Sequence, residues 1–244
     1  MVFDVNMMYN IALFVAHLAS VASWQPAPKL WRGCASQRCA RRGSGLHMNL
    51  LRDFTDTIKA GGSGGSTALT LDLERENEEV LQRYRTIVDL VNAREAEIEV
   101  LSDDALQARS RELRARVSAL SRDQPEDDSI IVEGFALVRE AAWRVLQLRP
   151  YDVQLFGGLA LLDGRLAEMA TGEGKTLAAV APTYLAALRG HGAHVVTAND
   201  YLAQRDADCV GQVHRFLGLS VGLVQSSMGT GSEERKEAYL ADIT

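Results

Sequence analysis

Met169-Ala170-Thr171-Gly172-Glu173-Gly174-Lys175-Thr176 brings two glycines, an ammonium group and a hydroxyl into one short loop. Those types in that order can hold a nucleoside triphosphate. Gly172 and Gly174 carry no Cβ, so the chain can turn sharply and bring its N–H groups close to an anion. The first N–H groups of a following helix are unpaired and point the same way, at the positive end of its dipole. Lys175 then reaches the β and γ phosphates, and the Thr176 hydroxyl ligates Mg²⁺.

A loop of this kind needs a strand before it and a helix after it. The apolar lead-in Leu166-Ala167-Glu168-Met169 supplies the expected strand, and the pattern from Leu177 to Leu188 supplies the helix. Pro182 lies inside that helix and should kink it, because proline removes one backbone bond. The most common form of the motif opens with a glycine, where this chain has Met169. What remains, Thr-Gly-Glu-Gly-Lys-Thr, is the form used by helicase-like motor ATPases. A glycine turn that merely precedes Lys-Thr is the plain alternative, and the flanking elements argue against it.

Strand and helix alternate on either side. Tyr151-Asp152-Val153-Gln154 opens a helix running toward Leu162, and Asp163-Gly164 is a turn. His194 to Thr197 and Val221 to Val224 read as strands, and Ala241 to Thr244 begins another. Asn199 or Asp200 caps a helix through Phe216, which Gly218 closes, and Ser232 starts one more. The alternation implies an α/β fold with a parallel sheet and right-handed crossovers. Upstream, Asp72 to Leu148 is helical. Val80, Tyr84, Ile87, Val88 and Val91 form one apolar stripe. Ser102 caps a second helix lined by Leu106, Leu113, Val117 and Leu120. Ser121 to Ser129 is a loop, and Ile131, Phe135, Val138, Ala142 and Val145 form a third stripe that should end near Arg149-Pro150.

The chain has 244 residues, a net charge of −6 and 47 % hydrophobic residues, which suits one or two globular domains. The acidic balance offers no basic face for phosphodiester backbones and so disfavours a nucleic-acid partner. Cys34, Cys39 and Cys209 set no disulfide framework, and two close cysteines fall short of the four ligands of a structural zinc site. Residues 1–52 read as an address. The apolar run Ile11 to Ala19 is too short to span a bilayer, which takes about 20 residues. Small residues at 20–23 follow it, and Trp24 to Arg52 is basic and acid-free, like a transit peptide. Signal-like then transit-like segments resemble the presequence of proteins entering complex plastids. A membrane-anchoring helix, or initiation at Met48, is the alternative. Gly61 to Ser66 reads as a flexible linker.

Several further stretches resemble the SecA preprotein translocase ATPase family: Ile87 to Asn92, Leu101 to Asp104, Ala136 to Ala141, Arg149 to Leu155, Glu168 to Leu177 and Val195 to Asp206. The likeness runs from about residue 80 to the end. It implies a P-loop NTPase of RecA-like, helicase-like type, with an incomplete parallel sheet preceded by an α-helical segment. With the readings from composition, the chain divides into a presequence at 1–52, a linker and first helix start at 53–79, a helical segment at 80–148 and a partial nucleotide-binding domain at 149–244. It implies that Gln154 bonds the adenine edge, with Tyr151 packing near the base. Gly172, Glu173, Gly174, Lys175 and Thr176 then take the phosphates of ATP, with Thr176 on Mg²⁺. Thr197 to Asp206 resembles the motif that couples nucleotide state to motion, and no residue here is assigned a catalytic role.

The implied partners are preproteins, a SecY/SecE-type Sec channel, an anionic membrane surface and a second copy in a homodimer, with no nucleic acid. The implied place is the plastid stroma, peripheral on the thylakoid. Cytoplasm and plasma membrane are the alternative if the presequence is misread. The sequence contains no Asp-Glu-x-Asp motif of the kind that holds Mg²⁺ and orients water, nor a second motor domain. The chain alone is therefore expected to hydrolyse ATP weakly or not at all. Two other readings compete: an RNA motor sharing the Thr-Gly-x-Gly-Lys-Thr loop, and a nucleotide-binding fragment that is not itself an enzyme.

Overall fold

The computed structural model describes residues 66–120, 126–170 and 172–244, with side chains described from Arg75 and not at Glu76. The presequence reading, the linker glycines and Thr171 lie outside the described residues. In chain order the helices are α1 (Ser66–Ala93), α2 (Glu95–Glu99), α3 (Asp103–Ser118), α4 (Asp128–Leu146), α5 (Asp152–Leu162), α6 (Lys175–Ala178), α7 (Val180–Leu188), α8 (Asp200–Cys209), α9 (Gly211–Phe216) and α10 (Glu233–Tyr239). Ser66, read as linker from the sequence, is the first residue of α1.

The core is built around α4, which packs against α1, α2, α3, α7 and α9. Ile130, Ile131, Phe135, Leu137, Val138, Ala141 and Ala142 are buried along it. A helix that is apolar nearly all round belongs at the centre of a layered helical fold. The α1 stripe closes over it through Tyr84, Ile87, Val88 and Val91, and the α3 stripe through Leu106, Leu113 and Val117. Charged side chains fill the outer faces of both. One buried polar bridge crosses this core: the Ser110 hydroxyl bonds the Tyr184 hydroxyl at 2.8 Å and donates to the Leu217 carbonyl at 2.7 Å.

Helix ends follow the chemistry of their caps. Ser102 accepts the Ala105 N–H, Asn199 that of Leu202 and Ser232 that of Arg235. The α4 start differs from expectation. Asp127 accepts the Ile130 N–H, so Asp128 and Ser129 are already helical. Its end differs too. Gln147, at φ 55°, stops the helix three residues before Pro150, and its side-chain amide donates to the carbonyls of Trp143 and Arg144. A left-handed cap satisfies the last carbonyls sooner than the proline could act.

The sheet needs correction. Among the described residues no strand forms; two isolated parallel bridges join Ala193 and Val221 to Ile243. They are sustained by hydrogen bonds from Ala193 to Asp242, Val195 to Thr244, Thr244 to Ala193, Ile243 to Ser220 and Gly222 to Ile243. Leu166 to Met169 is not a strand, and Leu166 is 77 % exposed. A strand exists only through a neighbour's backbone, and this segment has no ladder partner among the described residues. His194 to Thr197 is likewise not a buried strand, and Val196 is exposed.

Candidate nucleotide-binding site

The phosphate loop lies between the exposed segment 165–170 and α6. Gly172 and Gly174 hold φ of +89° and +80°. Gly174 meets two demands at once. Its backbone is left-handed, and a Cβ there would lie 2.3 Å from the Gln154 Nε2. Only glycine satisfies both without strain.

The loop is folded on itself. The Glu173 carboxylate accepts the Ala170 N–H at 2.9 Å, and the Lys175 ammonium donates to the Ala170 carbonyl at 3.1 Å. The helix after it is bent in the way its proline requires. α6 gives way to α7 at Ala179, and the Ala178 carbonyl, which Pro182 cannot bond, faces α5. A Cβ on Gly158 would lie 2.9 Å from that oxygen and 3.3 Å from the Pro182 ring. The kink and the bare backbone of α5 thus fit together, and they set the direction in which Lys175 and Thr176 leave the loop.

Gln154 sits in the first turn of α5, 5 % exposed. Its Oε1 accepts the Tyr151 N–H at 3.0 Å, reaching back over the start of the helix, and its Nε2 donates to the Glu173 carbonyl at 2.8 Å. It therefore joins the turn at residues 150–152 to the phosphate loop. A primary amide still has one N–H and one lone pair beyond those two bonds. Tyr151 stands beside it, 56 % exposed. Tyr151 and Gln154 are thus tied to the loop that carries Gly172, Glu173, Gly174, Lys175 and Thr176 through the Gln154–Glu173 bond at the α5–loop junction.

One residue packed against this turn does not stand out in the sequence. Arg139, inside the stretch quoted for the family resemblance, holds the same turn from behind. Its Nε donates to the Pro150 carbonyl at 3.0 Å, and its terminal nitrogens reach Asp152 at 3.1 Å and the Asn92 side chain. Burial pushes this guanidinium down from its ordinary value, against the pull of Asp152. Its one signal in the sequence is position: Arg139 directly follows the stretch Ile130 to Val138, in which Glu133 is the one charged residue.

Among the described residues, the stretch Thr197 to Asp206 shares no hydrogen bond with the loop or Gln154. Thr197, Asn199, Asp200, Ala203 and Asp206 instead line a cavity of about 610 Å³ beside the bridges at Val221 and Ile243. His214 lines the same cavity. Burial drives its pKa down to about 3, and its Nδ1 has no hydrogen-bond partner among the described residues.

The SecA DEAD-like domain family matches residues 69–244. The chain belongs to the SecA family. It is 54 % identical over 168 residues to the chloroplastic protein translocase subunit SecA of Ostreococcus lucimarinus (strain CCE9901), covering 69 % of this chain and 17 % of that protein. It is 48 % identical over 213 residues to the chloroplastic protein translocase subunit SECA1 of Arabidopsis thaliana, covering 87 % of this chain and 19 % of that protein. The SecA subunit of the cyanobacterium Picosynechococcus sp. (strain ATCC 27264 / PCC 7002 / PR-6) is 53 % identical over 171 residues, 69 % of this chain and 18 % of its own length. This SecA-family chain therefore spans less than a fifth of the length of these relatives. Among its described residues no helix is long and apolar enough to cross a membrane.

Proposed function

We propose that this chain is the ATP-binding amino-terminal part of a protein translocase subunit. It serves a motor that moves preproteins through a SecY/SecE-type channel, working from the plastid stroma at the thylakoid surface. The observation that carries the reading is the bond from Gln154 to the Glu173 carbonyl. It fixes the base-reading turn and the phosphate loop as one unit, as a nucleotide with its base at one end and phosphates at the other requires.

The residues fit the ligand. Lys175 can exchange the Ala170 carbonyl for β and γ phosphate oxygens, which are stronger acceptors for an ammonium. The Gly174 backbone leaves the N–H groups at the start of α6 open to the same anion. The free N–H and lone pair of Gln154 match the donor and acceptor edge of adenine. Among the described residues no cluster of three or more His, Cys, Asp or Glu could hold a metal by itself. That suits Mg²⁺ carried in with the phosphates and held by Thr176, since this ion keeps several waters and takes few protein ligands. When bound, the nucleotide supplies the phosphoryl-transfer energy that drives transport. This chain's part is to bind and orient it. Preproteins, the channel, an anionic lipid surface and a second copy of the subunit are the partners of that reading.

The test is binding of Mg-ATP by the 244-residue chain, by calorimetry. Wild type should bind, and Lys175→Ala should weaken binding by about 100-fold or more, the scale of removing charge-assisted contacts to phosphate. Equal affinity in the two proteins refutes the site.

A further inference from the structure

Three elements converge on Arg139, whose side chain is 11 % exposed. Asn92 comes from the end of α1, Arg139 from α4, and Pro150 and Asp152 from the turn into α5. The guanidinium uses its planar fork on all of them, and Asn92 in turn reaches the second Asp152 oxygen at 3.5 Å. Next to it, Arg149 pairs with Glu95 of α2. From this anchor a continuous path of hydrogen bonds runs through the Tyr151 N–H and the Gln154 amide to the Glu173 carbonyl.

Such an anchor far exceeds what capping a short helix requires. Asp152 already stands in the first turn of α5, where its charge favours the helix without help. The arginine holds instead the Pro150 carbonyl and the Asp152 side chain, and so fixes the chain on either side of Tyr151. Lysine cannot substitute. It is a point charge on a flexible stem and cannot address three separate acceptors in one plane.

We propose that Arg139 is a positioning residue for nucleotide-base recognition: it clamps the Pro150–Asp152 turn to α1 and α4, so that Tyr151 and Gln154 are held in register with the phosphate loop. The inference rests on the nucleotide reading above. It adds that base selectivity is set from the helical layer, by a residue that does not touch the ligand.

The test compares Mg-ATP with inorganic tripolyphosphate as probes, on wild type, Arg139→Ala, Arg139→Lys and Asn92→Ala in the 244-residue chain. Loss of the clamp should weaken Mg-ATP by about tenfold or more in both Arg139 variants, the scale of losing hydrogen bonds to a charged group. Tripolyphosphate, which uses the loop alone, should stay within about twofold on the same free-energy scale. Asn92→Ala removes one of three contacts and should fall between; it carries the test if the Arg139 variants do not fold. Equal loss for both probes, or loss for neither, overturns the clamp. Failure of wild type to bind Mg-ATP overturns the nucleotide reading and the clamp together. Wild-type binding with unchanged variants overturns the clamp alone.

Discussion

Gly174 shows how narrow the tolerances of the loop are. Its backbone is left-handed, and a Cβ added there would lie 2.3 Å from the Gln154 Nε2, which leaves no room for a methyl group. Gly174→Ala should therefore separate the two halves of the site. The substituted loop must either push Gln154 off the Glu173 carbonyl or leave the left-handed region, at a cost of about 1–2 kcal/mol. Binding of Mg-ATP should drop, with a small fall in melting temperature. Gly172, at a similar φ, faces open space, so Gly172→Ala carries only the backbone penalty. A larger affinity loss at position 172 than at 174 would contradict this account. The residue types of the loop stand out in the sequence because glycine, lysine and threonine each suit a task in holding phosphate. The role of Arg139 was not legible as a task, because its three partners come together only through tertiary packing.

At the scale of elements, caps and stripes decided what could be read in advance. Ser102, Asn199 and Ser232 all act as caps, since a cap acts within three residues of itself, but the helix that Asn199 caps ends at Cys209 and resumes as α9 instead of running unbroken to Phe216. The stripes of α1, α3 and α4 were equally visible, since helical spacing is local. The strands were not, because their hydrogen bonds go to distant segments and an apolar run states only a capacity. Asp127 is the cap that was missed, hidden in an acidic stretch read as loop. Its carboxyl is held below its ordinary range by hydrogen bonds from the Ser129 hydroxyl and the Ile130 N–H. A lowered folded-state value means its contribution is full above the ordinary carboxylate range and is lost as pH falls through the lowered value. Asp127→Ala should thus cost about 1 kcal/mol near neutral pH. The difference from wild type should shrink on acidification, as read by urea denaturation at several pH values.

Across the whole molecule, the helical layer and the bridged segments are tied at Asp242. One oxygen accepts from Arg114 of α3 at 2.7 Å; the other accepts the Ser220 N–H at 2.8 Å and its hydroxyl at 2.7 Å. Burial alone would raise this carboxyl, but the Ser220 and Arg114 contacts outweigh it and hold it low. The sign is again stability present above the ordinary carboxylate range and lost in acid. Asp242→Asn keeps the shape and removes the charge. It should speed amide hydrogen exchange at Ala193, Val195, Gly222 and Ile243 while leaving α4 protected. Uniform acceleration through α4 would mean that the two layers open as one unit.

The bridge order also fixes a sequence of events in the cell. Ala193 and Val221 do not pair with each other; each pairs with Ile243, which is made after both. As the nascent polypeptide leaves the ribosome, Ala193 and Val221 both emerge before Ile243, so these two bridges form only after the segment that lies between them in space is translated.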